Sequence, residues 1–404
     1  MHVYFAGATR VEEGFPELQH EIRKRLVSYH YQTASLDKYY YEDERDKYES
    51  IILDSGAFSA WSQEAIIDIE KYAQYILKWQ DKVDYVVNLD VIPAKPGVKP
   101  TADEIERSAS KGYENYRYLL SMGVQREKLI HVFHQHENEK WLRKMVYEDK
   151  IPYIGLSPAN DMNTLQKMKF LDSCMPIVTD AEGKATVKFH GFAVTSYELM
   201  ERYPWFSVDS STWAVAGGRG EIFTPQLTND KMDFTKAPEK VSISQIARSR
   251  EHYLNLFDKD PSSTIVKNLL AYFELLNIPL GCQFFLRVPK DYVIKKHNGF
   301  KKCSNSFIRH MEFELPVTDG FLTPEQLDKI DLNKKHTVRL YEGPDHIWVE
   351  HIIGKGVINY WKERQRVNAI FMNTFVGILD AQEPRAYNLK LQPEGFGLYS
   401  KKKE

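Results

Sequence analysis

Eight short apolar runs fall within roughly the first 215 residues, and most are followed by a segment with helical character. This alternation constrains the fold more than any other feature. The runs are His2–Ala8, Val27–Thr33, Ile51–Phe58, Tyr85–Ile92, Leu129–His136, Pro152–Ser157, Val187–Val194 and Phe206–Asp209. Between them, Gly14–Leu26, Gln63–Trp79 and Ser196–Arg202 read as helices, and Asp37–Glu49 as an acidic, tyrosine-rich connector. Thr101-Ala102-Asp103-Glu104 has the form of a capping box that opens a helix toward Met122. Leu165, Met168 and Leu171 share one helical face at three-residue spacing. Eight strand–helix repeats in this length predict an α/β fold of the TIM (β/α)8 barrel type. An open doubly wound sheet is the alternative. It is disfavoured because no G-x-G-x-x-G turn follows the first strand.

Past residue 215 the alternation stops. Glu221–Ser244 reads as irregular or hairpin structure, Ser244–Phe257 and Ser262–Leu276 as helices, and Gln283–Val293 as β-like. Pro324 follows Thr323 at a helix start. His336–Tyr341 and Ile347–Ile353 flank a five-residue loop and predict a β-hairpin. The expected division is a barrel domain over residues 1–260 and a C-terminal α+β extension over 261–404.

Composition narrows the class. Lys and Arg number 54 against 56 Asp and Glu, so any nucleic-acid surface must be local. Three cysteines, Cys174, Cys282 and Cys303, argue against a disulfide framework and for a reducing compartment. The N-terminus lacks the basic region of a signal peptide, and no window reaches the ~20 apolar residues of a membrane span. A cytoplasmic protein with no membrane partner is expected. Aromatic residues make up 13%, enough to supply both a bulky core and rings that stack on bases.

In a barrel the C-terminal strand ends converge on one mouth. Here those ends carry Asp54, Asp90, His134 or Gln135, Gly155 with Leu156, His190 and Asp209. A strand-end aspartate can simply cap the next helix, but three carboxylates at one mouth exceed what a scaffold needs. Paired carboxylates suit glycosidic chemistry: one attacks the anomeric carbon while the other shuttles a proton. Asp209 is the candidate nucleophile. A third carboxylate can accept N–H bonds from a purine. Gly155 could let a flat ring approach, and Phe58 could stack on it.

These residues carry a resemblance. Leu53-Asp54-Ser55-Gly56-Ala57-Phe58 looks like the D-S-G-G-F segment of the tRNA-guanine transglycosylases. Val87-Asn88-Leu89-Asp90-Val91-Ile92-Pro93 resembles their F-D-E-C-T-P segment, Tyr153-Ile154-Gly155-Leu156-Ser157 their A-I-G-G-L segment, and Phe206-Ser207-Val208-Asp209 their D-M-F-D strand. The four occur in family order over roughly residues 1–220. The resemblance implies a barrel that exchanges guanine for a 7-deazaguanine in a polynucleotide. It implies Asp209 as nucleophile, Asp54 as general acid/base, and Asp90 as reader of the base edge. Gly155 and Leu156 match backbone base contacts, and Ser55, in the matched acid/base segment, is a further candidate substrate contact. Phe58 matches one stacking residue and His190 falls near the other. His134 or Gln135 falls at the base-reading glutamine.

The sequence departs from the tRNA enzymes in two ways. It lacks their C-x-C-x2-C zinc cluster; Cys282 and Cys303 are 21 residues apart, a spacing that gives little support to a zinc held with His297 and His310. Ala57 and Val91 also replace family residues beside the two aspartates. Both departures resemble the divergent viral and bacterial branch that places 7-deazaguanines in DNA. DNA is therefore the expected partner, with tRNA the alternative, a free 7-deazaguanine base the second substrate, no cofactor, and oligomeric state open. Arg219 after the nucleophile strand is a candidate phosphate contact. So are Lys295, Lys296, Lys301 and Lys302, which are interleaved with aromatic residues. The target base must leave the stack to reach a barrel mouth. Two rival readings compete. His134-Gln135-His136 could put two imidazoles on one strand face for a metal-dependent hydrolase, with His190 and Asp209. A barrel-derived DNA-binding protein without catalysis is the other.

Overall fold

The structure is a computed structural model that describes residues 1–7, 9–229, 231–243, 262–289, 307–313, 336–342, 346–381 and 385–387. Its first 210 residues form a closed barrel of eight parallel strands in sequential order: β1 (His2–Phe5), β2 (Lys24–Ser28), β3 (Ser50–Asp54), β4 (Tyr85–Val87), β5 (Leu129–His134), β6 (Tyr153–Ser157), β7 (Lys188–Gly191) and β8 (Ser207–Ser210). β8 closes on β1 with Tyr4 opposite Asp209, and β7 pairs β8 with His190 opposite Ser207. The expected (β/α)8 barrel is therefore the fold.

Strand alternation sends every second side chain inward. Tyr4, Leu26, Ile52, Val87, Ile130, Val132 and Tyr153 fill the barrel as one buried cluster, with Tyr85, Phe192 and Phe206 packed on it. Residues of the other parity, such as Ile51, Leu53, Ile154, Leu156 and Val208, are fully buried on the outer side. These strands carry apolar residues on both faces, as a barrel sheathed by helices requires.

The sequence-based boundaries shift in informative places. Residues 14–26 were expected to be one helix. They hold a short helix, Pro16–Glu21, and then β2, because Leu26 is needed inside the barrel. Tyr29–Tyr31 forms a 3-10 turn instead of continuing a strand. The helix expected from Gln63 begins at Ile69, where Asp68 caps it by accepting from the N–H groups of Glu70 (2.9 Å) and Lys71 (3.3 Å). The capping box at Thr101 is present and opens the helix Ala102–Ser121. β4 stops at Val87, and Asn88 turns outward to donate to the Gly112 carbonyl at 2.8 Å.

Contacts divide the chain into two interleaved units: residues 1–214, 225–238 and 369–404 form one, and 215–224 with 239–368 the other. The boundary expected at 260 lies outside the described residues. In the barrel unit, the end of the helix Trp361–Asp380 returns to the barrel. Asn373 donates to the Glu21 carbonyl, the N-terminal ammonium pairs with Asp380, and Phe375 packs on Tyr197. A small hairpin, β10 (Gln226–Thr228) with β11 (Lys231–Asp233), belongs to the same unit.

The second unit contains an antiparallel pair, β9 (Glu221–Thr224) with β12 (Glu239–Ser242). Its helix Thr264–Leu275 falls where one was expected. Its remaining strands are β13 (Cys282–Pro289), β14 (Phe307–Phe313), β15 (His336–Glu342) and β16 (His346–Gly354). They make one antiparallel sheet in the order β13-β16-β15-β14, and β15 with β16 is the expected hairpin pair. The helices expected at 244–257 and from Thr323 lie outside the described residues. No described helix is long and apolar enough to cross a membrane.

Candidate active site

Asp54, His134 and Asp209 stand on inward positions near the C-terminal ends of β3, β5 and β8, and Asp90 sits three residues past β4. The barrel thus brings the three aspartates to one mouth. Their fields overlap: burial first, then Asp209, then Asp90 push the Asp54 carboxyl up to about 7, against backbone N–H donation from Gly56 and Ser55. Asp54 Oδ2 accepts the Gly56 N–H at 2.9 Å. Gly56 has φ +76°, and a Cβ there would lie 2.4 Å from Ser28 Oγ and 2.5 Å from His30 Cβ. Only glycine makes this turn, so Gly56 fixes the donor that holds Asp54.

Asp209 is 7% exposed. Its Oδ1 accepts from His190 Nε2 at 3.1 Å and from the Ala193 N–H at 3.1 Å. Its Oδ2 has no hydrogen-bond partner among the described residues. His190 is fully buried, its Nδ1 lies 2.5 Å from Ser207 Oγ, and Ser207 Oγ in turn meets the Tyr153 hydroxyl.

His190 was expected near a stacking position; the structure places its ring fully buried, bonded to both Asp209 and Ser207. Phe192 meets it edge-on with centroids 4.5 Å apart. The same Phe192 accounts for Gly155. A Cβ at Gly155 would come within 2.4 Å of Phe192 Cε2, so the ring that approaches this glycine belongs to the protein. Leu156 is fully buried on the outer face, and its carbonyl already accepts the Phe192 N–H at 3.1 Å. The Leu156 carbonyl is thus bonded to the Phe192 N–H, and the Phe192 ring lies over the position a Gly155 side chain would fill.

Asp90 and His134 form a second cluster. His134 Nε2 lies 3.2 Å from Asp90 Oδ2, and its Nδ1 lies 3.0 Å from Glu137 Oε1. Burial opposes a charged imidazole here, but the two carboxylates overcome it and hold His134 well above its ordinary range, as a cation. Glu137 also accepts the His134 N–H at 3.1 Å. Asp90 Oδ1 has no described partner. Glu137 was not singled out in the sequence. Its only signal was a glutamate three residues beyond a strand-end histidine, a spacing too common to notice without the turn that folds it back.

The remaining candidates are placed as follows. Ser55 is 1% exposed and its Oγ accepts from the Ala57 N–H, so it shapes the turn. Phe58 is 51% exposed on the helix Ala57–Ser62, against Trp61. Gln135 Oε1 accepts the Ala159 N–H at 3.0 Å, leaving its NH2 group available. Arg219 is exposed in the second unit, with no side-chain partner among the described residues. Lys295, Lys296, Lys301 and Lys302 lie outside the described residues, as do Cys303, His297 and the side chains of Cys282 and His310.

The metal-site reading is not met by geometry. β5 ends at His134, and His136 is exposed in a left-handed turn at φ +84°, so the two imidazoles do not share a strand face. Among the described residues no group of three or more His, Cys, Asp or Glu could hold a metal ion.

Neither a protein-family model nor a curated protein matches this chain.

Proposed function

We propose that this protein is a DNA-guanine transglycosylase, a pentosyltransferase that exchanges guanine for a 7-deazaguanine such as 7-cyano-7-deazaguanine through a glycosyl–aspartate intermediate. The observation that carries the reading is the convergence of Asp54 and Asp209 at one barrel mouth, where burial and the Asp209 carboxylate push Asp54 up to about 7. A group titrating near the working pH can both give and take a proton, and a second carboxylate with one bare oxygen can attack. The resemblance of four segments, in order, to the guanine transglycosylases supports the same assignment.

In the first half-reaction Asp209 Oδ2 attacks C1′ as the C1′–N9 bond breaks. Protonated Asp54 gives its proton to the departing guanine. In the second half, the Asp54 carboxylate takes the N9 proton of the incoming 7-deazaguanine. N9 then forms the new bond to C1′ and Asp209 leaves as a carboxylate. The phosphodiester chain is untouched and no net proton is consumed. Asp90 Oδ1 accepts N–H groups of the base edge, with His134 holding the other oxygen. Phe58, half exposed, offers a ring to the base. DNA is preferred to tRNA on the departures from the tRNA enzymes, and the target nucleotide enters unstacked.

The test supplies DNA or tRNA together with labelled guanine or 7-cyano-7-deazaguanine, using the full chain and Asp209→Asn. Label should enter DNA with the unaltered protein, and the variant should bind DNA but form neither product nor covalent adduct. Label in tRNA alone moves the substrate. Label in neither polymer, with both bases tried, removes the transglycosylase reading.

A further inference from the structure

A hydrogen-bonded file that the base-exchange steps do not themselves require runs from the barrel core to the mouth: Tyr153, Ser207, His190 and Asp209. We propose that Tyr153, Ser207 and His190 form a one-way donor chain that positions Asp209, fixing Oδ1 as the held oxygen and Oδ2 as the attacking one. Each hydrogen bond in the chain can be assigned a direction from the inventory of donors and acceptors. The Ala193 N–H can only donate, so Asp209 Oδ1 is an acceptor. Tyr153 is fully buried, and burial holds its phenol protonated. Its hydroxyl meets Ser207 Oγ and no other described hydrogen-bond partner, so its proton must point to Ser207.

Ser207 has one proton of its own. Having accepted from Tyr153, it donates to His190 Nδ1 across 2.5 Å. His190 then carries its proton on Nε2 and donates it to Asp209 across 3.1 Å. Run backwards, the chain would leave the Tyr153 O–H buried without an acceptor, which native structures avoid. In the forward direction the side-chain polar atoms of Tyr153, Ser207 and His190 are all satisfied, and His190 is the neutral Nε2–H tautomer.

Packing anchors the file. Tyr153 is edge-on to Phe206 (5.3 Å) and Tyr85 (4.9 Å) in the barrel core, and Phe192 covers the imidazole. Tyr153, Ser207 and His190 therefore connect the rigid interior to one carboxylate oxygen. Two donors on Oδ1 stabilise the carboxylate when it leaves C1′ and orient Oδ2 at the mouth. His190 is a positioning residue, since it acts through Asp209. Its role in attack rests on the transglycosylase reading, but the direction of the chain does not.

Two measurements test this on the full chain. Histidine-selective 15N NMR, with His190 assigned by its loss in His190→Gln, should show a protonated Nε2 and a bare Nδ1 at neutral pH. An Nδ1–H tautomer or an imidazolium overturns the chain. Single-turnover trapping of the covalent DNA adduct should slow about 10²–10³-fold in His190→Leu, the range for loss of one preorganised donor. His190→Gln, which keeps an N–H donor, should recover at least roughly tenfold of that loss, and DNA affinity should stay within about twofold in both. Adduct formation at the unaltered rate in His190→Leu overturns the positioning role. If the unaltered protein forms no adduct with any polynucleotide, the functional reading fails instead, and the NMR result still decides the chain.

Discussion

Replacing Asp54 by Asn exchanges a carboxyl poised near neutrality for a neutral group of the same shape, and the effect can be measured without substrate. The ordinary value for an aspartate is 3.8, whereas burial, Asp209 and Asp90 lift Asp54 to about 7. Below pH 3.8 the carboxyl is protonated in both folded and unfolded chains and adds no pH dependence. Between 3.8 and about 7 the folded protein keeps a proton that the unfolded chain has released. Stability therefore falls as pH rises through this window, by about 1.4 kcal/mol per pH unit. Above about 7 the folded state carries the full cost of the buried charge, on the order of 4 kcal/mol. Residual solvent contact at Asp54 makes that an upper bound.

The introduced carboxamide can still accept from Gly56 but carries no charge. Thermal unfolding of the two proteins from pH 4.5 to 8.5 should therefore show a midpoint gap that is small at the acidic end. The gap should widen to several degrees above pH 7, with the variant the more stable. In an Asp209→Asn background the gap should shrink but persist, because burial, the largest cause, remains. A gap of equal size at pH 5 and pH 8 would mean that Asp54 titrates as an ordinary surface carboxylate, and the acid/base assignment would lose its physical basis.

Three further outcomes are expected. Gly155→Ala forces its Cβ against Phe192 and should destabilise the protein by about 1–3 kcal/mol in denaturant unfolding, with Phe192→Leu restoring part of the loss. Glu137→Gln removes one of the two carboxylates that hold His134 cationic. NMR titration should find the imidazole losing its proton at lower pH than in the unaltered protein, and an unchanged titration would mean that Asp90 suffices. Charge reversal at Lys295, Lys296, Lys301 and Lys302 should weaken DNA binding and flatten its salt dependence, by up to about 0.9 in log–log slope for each lost phosphate contact. Affinity unchanged at both low and high salt would locate the footprint elsewhere.

Different levels of the site were legible for different reasons. The aspartates could be read because a barrel delivers strand ends to one mouth whatever the side chains are, so the position of Asp54 or Asp209 within its strand was enough. The capping box at Thr101 could be read because all its partners lie within four residues. The bonds of His190 could not be read because its partners, Ser207 and Asp209, lie on the next strand, and their side-chain bonds follow from register. Gly155 was read as space for a ligand ring; that a side chain, Phe192, packs there could not be read, because it lies 37 positions later in the chain. Ser55 shared a segment with Asp54 but not its direction: successive side chains diverge, and Ser55 turns back to its own backbone.

The sequence by itself determined the barrel. Eight alternating apolar runs and their helices leave few other ways to bury both faces of parallel strands. It also placed Asp54, Asp90 and Asp209 at strand ends, though it did not single out Glu137. Only the tertiary structure decided what each carboxylate is bonded to. Closure of β8 on β1 and pairing of β7 with β8 place Asp209 within reach of His190, and folding of the turn after β5 brings Glu137 back to His134. A carboxylate's chemistry follows from its donors and from neighbouring charges across space. In this protein those neighbours come mostly from other strands and loops.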